Sequence, residues 1–239
     1  MPGTFVSLRY TRAMQTVVGT RERAFVHLAA LFIAALVVCN LVAQKFVTVD
    51  LGFHVFTISA GILPYPLTFL VTDLISEIYG RKRANQLVFA GFVASLFVLG
   101  VLALGAAFPA IPGSPVDDAA YTTVFGQSWK VVFSSMLAYL VAQLVDIRMF
   151  HFWKRLTNGR HLWLRNNAST LVSQLVDTTL VVTVLFLGTD QQSNIPAFIL
   201  SGWLFKALCA LLDTPLFYLG VWWFERHAPE DRAPHTMFN

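Results

Sequence analysis

Six stretches of the chain, roughly 24–43, 58–79, 85–106, 130–152, 168–188 and 196–224, stay apolar for about the 20 residues that a helix needs to cross a bilayer. No other feature restricts the fold so strongly. In lipid each backbone N–H and C=O must find its partner inside the segment, so an apolar run of this length has to be a helix. Composition agrees: of 239 residues, 56% are hydrophobic and 13% charged, with a mean hydropathy of +0.63, against about 25% charge in soluble domains. The sequence therefore predicts an all-α membrane protein with six transmembrane helices. Residues 24–224 form one membrane domain, residues 1–23 a weakly ordered cytoplasmic N-terminal arm, and residues 225–239 a cytoplasmic C-terminal tail.

The net charge of +4 is a topology signal and not a mark of nucleic-acid binding, because the basic residues sit in short loops between spans. Arg9, Arg12, Arg21 and Arg23 precede the first span, and Arg81, Lys82 and Arg83 lie between the second and third. Arg148, Lys154, Arg155, Arg160 and Arg165 lie at or between the fourth and fifth, and Arg226 and Arg232 follow the sixth. Fourteen of the seventeen basic residues thus fall on one side, which the positive-inside rule makes cytoplasmic. Both termini are predicted on that side of a cell inner membrane crossed several times. Residues 1–23 lack the apolar core of a signal peptide, so the first span is expected to stay in the mature protein. Cys39 and Cys209 fall within apolar spans, where a free thiol behaves as a small hydrophobe, and they predict no disulfide framework.

Against this background the polar residues inside the spans stand out. The run Leu171-Val172-Ser173-Gln174-Leu175-Val176-Asp177-Thr178 places an amide and a carboxylate on one helical face, and Gln143-x-x-Asp146 repeats the spacing one span earlier. Each intramembrane charge costs about 2.5–3.5 kcal/mol on insertion scales and by default marks a substrate or ion pathway. Asp73, Asp146, Asp177 and Asp213 are predicted to form a belt about 12–20 Å inside the cytoplasmic boundary, at 1.5 Å per helical residue. Lys206 lies nearer the outer half. Four such carboxylates need protons, Lys206, or amide and hydroxyl partners such as Gln143, Gln174, Ser173 and Thr178. These positions predict a transporter with a polar intramembrane site.

Local punctuation adds detail. Asn40 lies deep in the first span. Residues 46–57 alternate apolar and polar around Asp50-Leu51-Gly52, as in a short outer hairpin or irregular cap. The second span opens with Gly61, Pro64 and Pro66, which predicts a helix broken or re-entrant at its start, and then carries Thr68, Asp73 and Glu77. The third span is apolar scaffold. Residues 108–128 hold three prolines and two glycines and are predicted to be irregular and extracytoplasmic. The basic and aromatic stretch Arg148 to Arg165, with His151 and His161, reads as a lipid-interface turn, and no metal is expected there. Neither a nucleophile with its base nor a His-Glu-x-x-His pattern occurs, so no enzyme activity and no cofactor are expected.

Amides and carboxylates in an apolar cavity suit a flat, neutral ligand rich in hydrogen-bonding groups. A guanine-like heterocycle fits, with a carboxylate accepting from its ring N–H and exocyclic amine while Gln or Asn serves its carbonyl and ring nitrogens. Tyr65, Phe69 and Tyr139 could stack on its faces. The same chemistry also admits an amino acid, a vitamin or a cation. Asn40, the proline-rich entry into Thr72-Asp73-Leu74-Ile75-Ser76-Glu77-Ile78-Tyr79-Gly80, the Gln143-x-x-Asp146 pair, Ala168-Ser169-Thr170-Leu171 running into Asp177-Thr178, and Phe205-Lys206 together resemble the queuosine precursor transporter family over residues 24 to about 224. The resemblance implies a six-helix inner-membrane importer of 7-deazaguanines such as preQ0 and preQ1, salvaged for tRNA modification. It implies substrate-binding roles for Asn40, Asp73, Gln143, Asp146, Ser169, Asp177 and Lys206, with Glu77 and Gln174 added. The alternative is the substrate-binding component of an energy-coupling-factor vitamin importer. Expected partners are a small molecule and the lipid bilayer, and the sequence is compatible with a homo-oligomer.

Overall fold

The computed structural model describes residues 3–43, 45–50, 52, 55–126 and 129–227. Of the tail expected over 225–239, residues 228–239 lie outside the described residues. The chain is dominated by helices: α1 (Gly3–Leu41), α2 (Tyr65–Ile78), α3 (Arg81–Ala107), α4 (Asp118–Phe125), α5 (Trp129–Leu156), α6 (Leu162–Phe186) and α7 (Ile195–His227). Between α1 and α2 lies an antiparallel hairpin of β1 (Phe46–Asp50) and β2 (Val55–Ser59), paired from Phe46 with Ser59 to Asp50 with Val55. Among the described residues, four stretches are both long and apolar enough to cross a bilayer: Gly19–Leu41, Ala60–Ile78, Arg81–Ala107 and Gln192–His227. Helices α5 and α6 have the length, at 28 and 25 residues, and carry most of the buried polar side chains.

Side chains are distributed as lipid demands. Val93, Phe97, Val101 and Leu104 of α3 face outward, as do Leu212, Leu216 and Leu219 of α7, while Asp73, Gln143, Asp146 and Ser173 are buried. The main core cluster joins α1, α2, α3 and α5 through Phe32, Leu36, Val71, Ile75, Val88, Tyr139 and Ile147. Gly91 permits the close approach of α3, since a Cβ there would meet Phe32 Cε1 at 2.7 Å. A smaller cluster of Leu74, Phe150 and Phe217 ties α2 and α5 to α7.

The entry into α2 is built from its sequence punctuation. Ser59 Oγ donates to Ala43 O at 2.6 Å and accepts from Gly61 N at 3.2 Å, holding a 3-10 turn, Ala60–Ile62, against the end of α1. Only glycine fits at position 61, because a Cβ would collide with the carbonyl oxygen of Cys39. Pro64 then occupies the N-cap of α2 and Pro66 its first turn, where the missing proline N–H has no helical partner to lose. The turn and α2 are therefore separate elements. At the other end Gly80, with φ +82°, reverses the chain into α3, a conformation a side chain would strain.

Helix runs through residues 3–23, and Arg21 within it donates to Ile78 O at 2.8 Å while Tyr79 Oη donates to Arg21 O at 2.6 Å. Two local expectations are corrected. The 108–128 loop contains α4, whose start is fixed by Asp117 accepting from Ala120 N at 2.7 Å and by Asp118 accepting from Ala110 N at 2.9 Å. The basic stretch after the fourth span is mostly helix, with α5 continuing to Leu156 and α6 resuming at Leu162.

Candidate functional site

A polar stripe on each of three helices meets in one cleft. On α2 the residues Tyr65, Phe69 and Asp73 recur every fourth position and so share a face. On α6 the stripe is Asn166, Thr170 and Gln174, and on α7 it is Lys206, Ala210 and Asp213; all nine line the same cleft. With 1.5 Å of rise per residue, each stripe runs about 10–12 Å along its helix. The cleft and the open space at its mouth together hold about 350 Å³ not filled by protein atoms.

The hairpin end of the cleft is charged but balanced. Lys206 Nζ donates to Asp177 Oδ2 at 2.5 Å, with side-chain exposures of 10% and 5%. The same ammonium sits 4.9 Å from the centre of the Tyr65 ring, and Tyr65 packs edge-on against Phe69 at 5.4 Å. Here the carboxylate that burial makes costly has the cation that offsets it.

The middle of the cleft is different. Asp73 is 1% exposed; its carboxyl group has the Asp146 carboxyl and the Thr170 hydroxyl as hydrogen-bonding neighbours and no cation within ion-pair distance among the described residues. Across from it, Gln174 Oε1 is buried without a partner. Buried polar atoms are rarely left so in a finished structure. Behind Asp73 lies a polar layer: Asp146 and Thr170 neighbour its carboxyl group, Ser173 Oγ donates to Asp146 Oδ1 at 2.9 Å, and Ser169 Oγ donates to Asn166 O at 3.1 Å. Gln143 is held between two threonines of α2, accepting from Thr72 Oγ1 at 3.2 Å and donating to Thr68 Oγ1 at 3.4 Å. These residues brace α5, α2 and α6 against one another.

Asp73, Gln174 and Lys206 thus line the cleft, Asp177 reaches it through Lys206, and Gln143, Asp146 and Ser169 stand behind its wall. Two expected site residues lie elsewhere. Asn40 donates to Leu36 O at 3.0 Å and lines a separate apolar cleft with Ser95 and Phe125, because its face of α1 is turned toward α3. Glu77 bonds Lys154 Nζ at 2.9 Å and Arg165 Nη2 at 3.2 Å, closing the basic end of the bundle. Of the stacking candidates Tyr65 and Phe69 line the cleft, whereas Tyr139 is packed in the core with its hydroxyl donating to Val88 O at 3.2 Å. Sequence reasoning missed Asn166 and Thr170 as lining residues; the signal was their i, i+4, i+8 spacing with Gln174.

An apolar helical bundle that keeps an open polar cleft among its helices defines a multi-pass membrane protein of the solute-transporter class. Comparison with known proteins narrows this. Residues 59–220 match the family described as "Putative vitamin uptake transporter". A Bacillus subtilis (strain 168) protein named "Probable queuosine precursor transporter" is 32% identical over 163 residues, 68% of this chain and 71% of its own length. The "Queuosine precursor transporter" of Escherichia coli (strain K12) is 27% identical over 166 residues, 70% of each chain. No solved structure matches. The chain belongs to the queuosine precursor transporter family within that wider vitamin-uptake group.

Proposed function

We propose that the protein imports queuosine precursors, 7-deazaguanines such as preQ0 and preQ1, across the cell inner membrane for salvage into tRNA. The observation that carries this reading is the set of acceptor atoms gathered at the cleft, the carboxyl oxygens of Asp73 and Oε1 of Gln174, the last buried without a partner. A guanine edge offers donors to match: a ring N–H and an exocyclic amine side by side for the carboxylate. The Gln174 amide meets the rest of the ring, and Tyr65 and Phe69 supply aromatic surface beside it. Six helices, α1, α2, α3, α5, α6 and α7, cross the bilayer with both termini cytoplasmic, a topology favoured by the basic residues gathered at one end. Lys206 and Asp177 shape the outer part of the site, and the Glu77 ion pairs close the cytoplasmic side. Release inward then requires the Glu77 contacts with α5 and α6 to loosen, a form of alternating access around a fixed midplane site.

The test is uptake of labelled preQ0, preQ1 and queuine by cells unable to make the precursor, with tRNA modification as readout. Expression of the protein is expected to restore modification with at least one of the three, and Asp73→Asn to abolish it at normal membrane abundance. No gain over empty vector with any of them overturns the reading. Uptake by the purified protein alone in vesicles excludes an obligatory coupling subunit, as the vitamin-importer alternative requires.

A further inference from the structure

Two carboxyl groups meet behind the cleft with no cation between them. Asp73 of α2 and Asp146 of α5 are 1% and 0% exposed, and neither has an ion-pair partner among the described residues. Their helices are tied one turn away, where Gln143 of α5 accepts from Thr72, the residue before Asp73. From α6, Ser173 Oγ bonds both Asp146 Oδ1 at 2.9 Å and the carbonyl oxygen of Thr170 at 3.0 Å, and Thr170 in turn neighbours the Asp73 carboxyl. Three helices thus bring the two acids together.

The charged groups around them are engaged elsewhere. Toward the basic end, Glu77 of α2 holds Lys154 of α5 and Arg165 of α6, and His151 of α5 faces the charges of Lys154, Arg81 and Glu77. At the hairpin end, Lys206 of α7 holds Asp177 of α6. Asp213 of α7 lines the cleft as a further acid, and α1 and α3 meet α2 through apolar side chains such as Phe32, Leu36 and Val88. Two adjacent carboxylates cannot both ionise in such a place, so one proton has to lie between them. The oxygens show where. Asp146 Oδ1 already accepts from Ser173, whereas Oδ2 is buried with no donor of its own and is the oxygen left to carry the proton.

We infer that Asp146 is a positioning residue for the base site: it keeps a proton on Oδ2 and donates it to Asp73, fixing Asp73 as an anion whose remaining lone pairs face the cleft. This rests on the proposed binding of a 7-deazaguanine edge to Asp73 and adds what lets a carboxylate in the bilayer receive it. A lone buried acid would hold the proton itself and oppose its own O–H to the N–H groups of the base. With Asp146 as donor, Asp73 stays acceptor-only. Its roughly four lone-pair sites are then matched by Asp146, Thr170 and the two donors of the base.

Infrared spectroscopy of the purified full-length protein with 7-cyano-7-deazaguanine bound reads the proton directly, because a protonated carboxylic acid absorbs apart from a carboxylate. The wild-type protein is expected to show a protonated-acid band, of which one component disappears in Asp146→Asn. Ser173→Ala, which removes the bond to Oδ1, is expected to shift that component and replaces the first variant should it not fold. In binding, Asp146→Asn supplies an amide donor and is expected to stay within about threefold of wild type, whereas Asp146→Leu, similar in size but without a donor, loses about tenfold or more. No protonated-acid band in the wild-type complex overturns the inference. So does a band that both Asp146→Asn and Ser173→Ala leave unchanged, or equal loss of affinity in Asp146→Asn and Asp146→Leu. If the wild-type protein binds no 7-deazaguanine, the transport reading itself fails; if it binds one with no proton on Asp146, only this inference does.

Discussion

Replacing Lys206 by Met keeps much of its length but strands the carboxylate of Asp177, which is 5% exposed and has Lys206 as its ion partner at 2.5 Å. Removing one member of a buried pair costs about 3–5 kcal/mol, because the remaining charge stays desolvated. Loss of the ammonium over Tyr65, 4.9 Å from the ring centre, adds about 0.5–2 kcal/mol. Asp177→Asn strands the ammonium instead, at 10% exposure, and is expected at the lower end of that range. In the double variant no charge is left uncompensated, so most of the loss should return, with a coupling of about 2–3 kcal/mol between the two sites. Denaturant titration of the purified protein in detergent, followed by tryptophan fluorescence, measures all four corners of the cycle. Losses that simply add, to within about 0.5 kcal/mol, would show that the two groups do not depend on each other, and the description of a balanced hairpin end would be wrong.

Three further outcomes follow from local geometry. Gly61→Ala should destabilise the protein by about 1–3 kcal/mol, as overpacking does, because the new methyl meets a backbone carbonyl of α1 that only a helix shift can move; a fully stable variant in the same denaturant assay would contradict this. Glu77→Gln removes the carboxylate that neutralises Arg165, whose side chain is 3% exposed, and should cost about 3 kcal/mol; a thermal midpoint equal to wild type would mean that Arg165 has another counter-charge. Asp117→Ala deletes the cap of α4 and should cost that helix about 1 kcal/mol, seen as faster hydrogen exchange at residues 120–121 with transport unchanged, since α4 is remote from the cleft.

Much of this was legible in the sequence, for physical reasons that differ by feature. The apolar runs give helices because lipid leaves no other choice, and the break before α2 follows from Gly61, Pro64 and Pro66. The hairpin announced itself by alternation over residues 46–57. Helix α4 did not, because the prolines and glycines around it hide eight residues that Asp117 caps and Asp118 ties to Ala110. Within the site, the Gln-x-x-Asp repeat pointed to α5 and α6 but not to their rotation. Gln174 faces the cleft, whereas Gln143 and Asp146 stand one layer back. Asn40 illustrates the same gap: α1 and α3 are apolar nearly all round, so periodicity does not say which neighbour a lone polar residue will face. The ion pairs of Glu77 depend on Arg165 beginning α6 inside the bundle, which the apolar pattern placed in a loop.

Binding of a labelled 7-deazaguanine to the purified protein, compared between Asp73→Asn and Asn40→Ala, tests the location of the site most directly. Loss of at least tenfold in affinity for Asp73→Asn, with Asn40→Ala close to wild type, is the expected result. Wild-type affinity in Asp73→Asn together with loss in Asn40→Ala would move the site to the cleft between α1 and α3 and contradict the account.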